Sequence, residues 1–174
     1  QNQLIEISQT SGPKIRLGFL SSDIIQGHSI TYFLKTILSN YDKDKFEIIL
    51  LLNNPKEDHL TKSFKHLVDK TINISNLNNI DAVNQARKLK LDIIIDLMGY
   101  TSKQRLELFK NRMAKNQIIW MGYCNTTGLK NMDYIISDPN LIYLGEEKYY
   151  SEKVIYLPKI WNSHCGYDFE REEN

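Results

Sequence analysis

Apolar residues in this chain fall into short solid runs separated by stretches of helical spacing, and the two patterns take turns along the sequence. Phe46 to Leu52 (F-E-I-I-L-L-L) and Asp92 to Leu97 (D-I-I-I-D-L) lack polar alternation, as expected of strands covered on both faces. Shorter runs predict strands at Lys14 to Leu20, Thr71 to Ile74, Asn116 to Met121, Met132 to Ser137 and Lys153 to Leu157. Between them, Ile30, Phe33, Leu34, Ile37 and Leu38 recur on one helical face from His28 to about Asn40. Further helices are expected over Leu60 to Val68, Ile80 to Leu89, and Lys103 to Phe109 with Leu106 and Phe109 inward. Asp138 to Glu147 reads as irregular.

This rhythm describes βαβ units, and so an α/β, Rossmann-like, mostly parallel sheet with helices on both faces. Ligands of such sheets bind at the carboxyl ends of the strands. Three polar loops are expected there: Ser21 to Gly27, the turn after Leu97, and Gly122 to Gly128. In the second loop, Gly99 lets the backbone turn sharply and Thr101 offers a hydroxyl to a sugar or phosphate oxygen. Asp96 is open to two readings, since a carboxylate at a strand end accepts loop amides as readily as a ligand. His28 opens the first helix with an imidazole suited to proton transfer or to hydrogen bonding. Cys124 has no histidine near it in sequence to activate it as a nucleophile. Trp120 reads as core, the carboxylates of Asp133 and Asp138 as acceptors of turn amides, and Glu152 and Lys153 as solvated.

A chain of 174 residues fits one domain that folds without staples. The 22 basic and 21 acidic side chains nearly cancel, which gives no electrostatic pull toward nucleic acid or anionic membrane. Cys124 and Cys165 have no metal-ligand spacing, and His59, His66 and His164 read as surface residues, so no metal site is expected. The longest apolar run is far too short to span a bilayer, and the polar start is no signal peptide. A soluble cytoplasmic domain is expected, with residues 1–13 a linker, 14–158 the folded unit and 159–174 a polar tail.

Set in order, the loops carry S-S-D-I-I-Q-G-H-S-I-T-Y-F-L, D-L-M-G-Y-T, W-M-G-Y-C-N-T-T-G, M-D-Y-I-I-S-D and Y-S-E-K-V-I-Y-L-P. From about Lys14 to Pro158 this resembles the amino-terminal half of the catalytic region of the O-GlcNAc transferase family, including its bacterial and SPINDLY-like members, which often follow a tetratricopeptide array. The resemblance implies one lobe of a GT-B glycosyltransferase that moves N-acetylglucosamine from UDP-GlcNAc to Ser/Thr hydroxyls of protein acceptors. It further implies a carboxyl-terminal lobe holding most donor contacts, with this stretch inactive by itself, no cofactor beyond the UDP-sugar substrate, and no nucleic-acid or membrane partner. By the same resemblance His28 is the catalytic candidate, and Asp96, Gly99, Tyr100, Thr101, Gly122, Tyr123, Thr126 and Thr127 are the substrate-binding candidates.

The chain departs from the family pattern in three places. Asp23 to His28 holds one residue more than the usual spacing, Tyr100 stands where many bacterial relatives carry histidine, and Cys124-Asn125 replaces Pro-Gly. These departures keep two other readings open: a non-catalytic interaction domain that retained the transferase fold, and a stand-alone α/β binding module. The second would need an acidic cluster after the first strand, where the chain offers only Asp23.

Overall fold

A computed structural model describes residues 12–164 and residue 166. Residues 1–11 of the linker expected at 1–13, Cys165 and the charged residues 167–174 lie outside the described residues. Seven strands form one sheet in the order β3-β2-β1-β4-β5-β6-β7, and every neighbouring pair is parallel. They are β1 (Ile15–Ser21), β2 (Phe46–Leu52), β3 (Lys70–Asn73), β4 (Leu91–Asp96), β5 (Ala114–Ile119), β6 (Tyr134–Ser137) and β7 (Lys153–Tyr156). The helices are α1 (Ser29–Asn40), α2 (His59–Lys65) and α3 (Asn79–Lys88).

Side chains alternate across the pleat, so a solid apolar run feeds two cores at once. Ile48, Leu50 and Leu52 of β2 pack with Phe19, with Ile30, Leu34 and Leu38 of α1, and with Phe64 of α2. Ile49 and Leu51 point the other way, into a cluster with Leu20, Leu91, Ile94 and Ala82, Val83 and Ala86 of α3. Each such side chain contributes roughly 1.5–3 kcal/mol by leaving water. The expected helix over Lys103 to Phe109 is instead a 3-10 helix, Leu106–Lys110. Leu106, Leu108 and Phe109 are all buried, a spacing too tight for one face of an α-helix, and the Gln104 side chain accepts the Leu106 amide ahead of it.

Helix starts are chemically marked. Asp58 forms a capping box with Thr61, and Asn78 accepts the Asp81 amide at 2.9 Å. Beyond β7, residues 158–164 return along the sheet. The Trp161 amide donates to Asp138 Oδ2 at 2.7 Å, Trp120 Nε1 donates to the Trp161 carbonyl at 2.6 Å, and His164 stacks on Tyr32 of α1 at 5.5 Å.

Candidate functional site

Strands are added outward from β1 in one direction as β2 and β3, then in the other from β4 onward. Loops leaving β1 and β4 therefore diverge, which opens a crevice at their carboxyl ends. Both amide and hydroxyl of Ser22 approach Met98 Sδ at 3.1 Å, joining the two loops at the crevice floor. The β5 loop closes on the β4 loop through two glycines. A Cβ on Gly122 would lie 1.8 Å from the Leu97 carbonyl oxygen, and one on Gly99 would lie 2.3 Å from Tyr123 Cβ. Gly99 also holds φ +56, a left-handed conformation that side chains resist, and Met121 adopts φ +75 beside it. A bulky residue held there costs roughly 1–3 kcal/mol and persists only in a tightly determined setting. His28, Thr101 and Gly122 thus belong to three loops that interlock along one edge.

His28 is the N-cap of α1. Its Nδ1 faces the Ile30 amide at 3.4 Å, and its Nε2 lies 3.8 Å from Asp23 Oδ2. An Nδ1 that accepts leaves the hydrogen on Nε2, an assignment made from the hydrogen-bond geometry. The imidazole is about two-fifths exposed while the Asp23 side chain is only 12% exposed, so the ring stands at the lip and the carboxylate behind it.

Asp96 is buried and accepts the amides of Gly99 at 2.9 Å and Met98 at 3.2 Å. Burial pushes its carboxyl up to about 7, against those two amide bonds, and the nearby Asp23 carboxylate pushes the same way. Thr101 is exposed, and its hydroxyl donates to the Met98 carbonyl at 2.8 Å, so the oxygen keeps its capacity to accept. Tyr100 is exposed yet its hydroxyl donates to the Thr127 carbonyl at 2.7 Å, and its ring meets Tyr123 edge-on at 5.6 Å.

Thr126 and Thr127 converge on Glu152. Thr126 Oγ1 donates to Oε2 at 2.7 Å, the Thr127 amide to Oε1 at 2.8 Å, and the Thr127 hydroxyl also reaches Oε1. Glu152 is therefore not solvated as its sequence context suggests; it is 3% exposed and anchors the β5 loop to the start of β7. Thr127 is buried with it. Cys124 is exposed, and Trp120 is half-buried against the α1 side of the sheet. Asp23 and Ser22 were carried by no pattern beyond the histidine motif, and their place beneath His28 depends on the β1–β4 pairing. Among the described residues no three His, Cys, Asp or Glu side chains come together as metal ligands, and no helix is long and apolar enough to cross a membrane.

The model of glycosyl transferase family 41 matches residues 3–165. A probable UDP-N-acetylglucosamine–peptide N-acetylglucosaminyltransferase SPINDLY of Arabidopsis thaliana is 33% identical over 128 residues, 71% of this chain and 14% of that protein. The UDP-N-acetylglucosamine–peptide N-acetylglucosaminyltransferase of Caenorhabditis elegans is 30% identical over 157 residues, 87% of this chain and 13% of that protein. A solved structure of a mutant Thermobaculum terrenum O-GlcNAc transferase superposes with TM-score 0.82 at 28% identity, covering 86% of this chain and 28% of that one. The chain spans about one seventh of the length of these two curated relatives. With an interlocked crevice at the switch point of a parallel sheet, and a family match running almost from end to end, the chain belongs to glycosyl transferase family 41, among the O-GlcNAc transferases and their SPINDLY relatives.

Proposed function

We propose that this domain is the amino-terminal lobe of a protein O-glycosyltransferase that moves N-acetylglucosamine from UDP-GlcNAc to Ser/Thr hydroxyls. The carrying observation is the crevice between β1 and β4, with His28 at its lip over Asp23 and the exposed Thr101 on the facing loop. A carboxyl-terminal lobe of the same parent chain would face that crevice, hold the nucleotide and stabilise the leaving phosphate, so this stretch alone would not turn over donor. The acceptor hydroxyl oxygen would bond the anomeric carbon as the bond to the UDP oxygen breaks, with inversion, and the hydroxyl proton would pass to the departing diphosphate or to solvent. Within that step His28 donates through Nε2–H and fixes an oxygen of donor or acceptor, because Nδ1 is occupied by the Ile30 amide. Proton uptake at Nε2 would first require the ring to surrender its cap. Asp96, Thr126 and Thr127 act at one remove by holding the loops, while Thr101, Gly99 and the Gly122-Tyr123 turn supply the wall. In a cell this is soluble cytoplasmic chemistry on protein acceptors.

UDP and UDP-GlcNAc are titrated into this chain and into the parent with its second lobe, and transfer is followed in the parent. Binding and transfer by the parent, lost in His28→Ala, support the reading; transfer left intact removes His28 from the mechanism. A second reading, a non-catalytic interaction domain, is favoured by Tyr100, whose hydroxyl is engaged by the Thr127 carbonyl rather than offered to the crevice. A parent that binds no nucleotide sugar would establish it.

A further inference from the structure

Arg105 follows Thr101 by four residues on the β4 loop, and nothing in the transferase reading uses it. Its guanidinium reaches past the crevice to the carboxyl ends of β2 and β3. Nη1 donates to the Ile74 carbonyl at 2.9 Å and approaches Asn53 Oδ1 at 3.4 Å, while Nη2 donates to Asn79 Oδ1 at 2.7 Å. All three acceptors are neutral. Arg16 and Arg112, by contrast, each meet a carboxylate with two nitrogens, Glu47 and Asp133 respectively.

The surrounding acids are committed elsewhere. Glu57 pairs with Lys65 at 2.5 Å, and Asp81 accepts the Asn78 side-chain amide at 2.8 Å. Burial holds the Arg105 guanidinium below the ordinary arginine range, and no carboxylate acts against that effect. Of its five N–H hydrogens three are used, leaving Nε–H and one hydrogen on Nη2. These two nitrogens form the edge that Arg16 presents to Glu47. Lys103 stands two residues earlier, exposed and at φ +61, with its carbonyl accepting Asn53 Nδ2 at 3.3 Å. A partly desolvated cation held rigidly by neutral acceptors gains more from an arriving anion than a solvated one does.

We propose that Arg105, with Lys103 beside it, forms a subsite for an anionic side chain of the acceptor polypeptide, a carboxylate or a phosphate. The assignment rests on the transferase reading for the identity of its ligand. Neighbouring strands lie about 4.8 Å apart, so in the order β3-β2-β1-β4 the ends of β2 and β3 are roughly 7–12 Å from the middle of the β1–β4 crevice. An extended peptide covers that distance in about two to four residues. The anion therefore lies about two to four positions from the modified hydroxyl, with three the middle of that range.

The test titrates blocked Ser-Ala-Ala-Glu, Ser-Ala-Ala-Gln and Ser-Ala-Ala-phosphoserine peptides, with acetate and inorganic phosphate as free-anion arms, into this isotope-labelled chain while the Arg105 Nε–H resonance is followed. Both anionic peptides shift that resonance and bind about tenfold more tightly than the glutamine peptide, and Arg105→Gln removes the difference while Arg105→Lys restores part of it. Equal binding by the glutamate and glutamine peptides overturns the proposal without any altered protein, so a misfolded variant cannot shield it. Free acetate or phosphate binding as tightly as the peptides overturns the acceptor assignment. Transfer by the parent that depends on His28 but ignores acceptor charge keeps the transferase reading and eliminates the subsite.

Discussion

The sheet has two halves built on different chemistry. From β3 to β4, strands of up to seven residues are covered by α1 and α2 on one face and α3 on the other, and the joints are almost wholly apolar. From β5 to β7, the outer two strands have four residues each, β5 pairs with β6 through only two residue pairs, and among the described residues no α-helix lies between or after these strands. Carboxylates stand in for the missing helices. Asp133 grips Arg112 and the Gln117 amide, Asp138 takes the amides of Asn140, Leu141 and Trp161, and Glu152 holds Thr126 and Thr127. A short strand that cannot bury enough surface is held in register by directional bonds, and these also fix the loop that walls the crevice.

The seam between the halves should be the most sensitive point. Gly122→Val drives a side chain into the Leu97 carbonyl and is expected to cost more than about 4 kcal/mol, read as loss of the cooperative unfolding transition in urea. A cost under about 1 kcal/mol would mean the loops can separate. The next test contrasts volume-conserving changes. Leu34→Met in the apolar half should cost under about 1.5 kcal/mol, whereas Glu152→Gln, equal in size, should cost about 2 because an amide NH2 cannot accept from Thr126 or Thr127. Equal midpoints in chemical denaturation would erase the distinction drawn here.

Asp96 lies between the halves and adds a pH signature. With its folded carboxyl at about 7 and an unfolded value near 4, the native state holds the extra proton between those limits. Stability therefore falls as pH rises across that window, on the order of 1 kcal/mol per unit, and levels off above it. Asp96→Asn should flatten that slope in denaturation curves collected from pH 5 to 8; an unchanged slope would assign it to other groups. His28→Ala should have the smallest effect, about 0.5–1 kcal/mol for a lost helix cap, in the melting temperature of this chain. A larger loss would show the ring to be part of the packing.

The same division explains what was legible beforehand. Phe46–Leu52 and α1 stand where apolar runs and helical spacing put them, because burial on two faces or on one stripe leaves a local pattern. Glu152 left none: its partners are 25 and 26 positions away, so Y-S-E-K looks like any wet loop. Residues 158–164 read as a polar tail, yet Trp161 is fastened by the Asp138 carboxylate and the Trp120 indole. At the site, Gly99 announced a backbone turn, but the press of Gly122 on Leu97, the Ser22–Met98 contact and the Asp23 seat beneath His28 arise only once distant strands pair. Arg105 gave no signal at all, since a lone arginine acquires meaning from the absence of acids around it.

The pairing of β1 with β4 joins residues 76 apart, Arg16 to Asp92 among them, across the whole of α1, β2, α2, β3 and α3. With no hairpins in the sheet, each strand waits for a crossover before it finds a neighbour, and this crossover is the longest. Such long-range pairing is expected to slow folding, and from the start of β1 a ribosome must release about 80 residues before the crevice has its second wall. Within this sheet the crevice waits on the widest gap in sequence between paired neighbours.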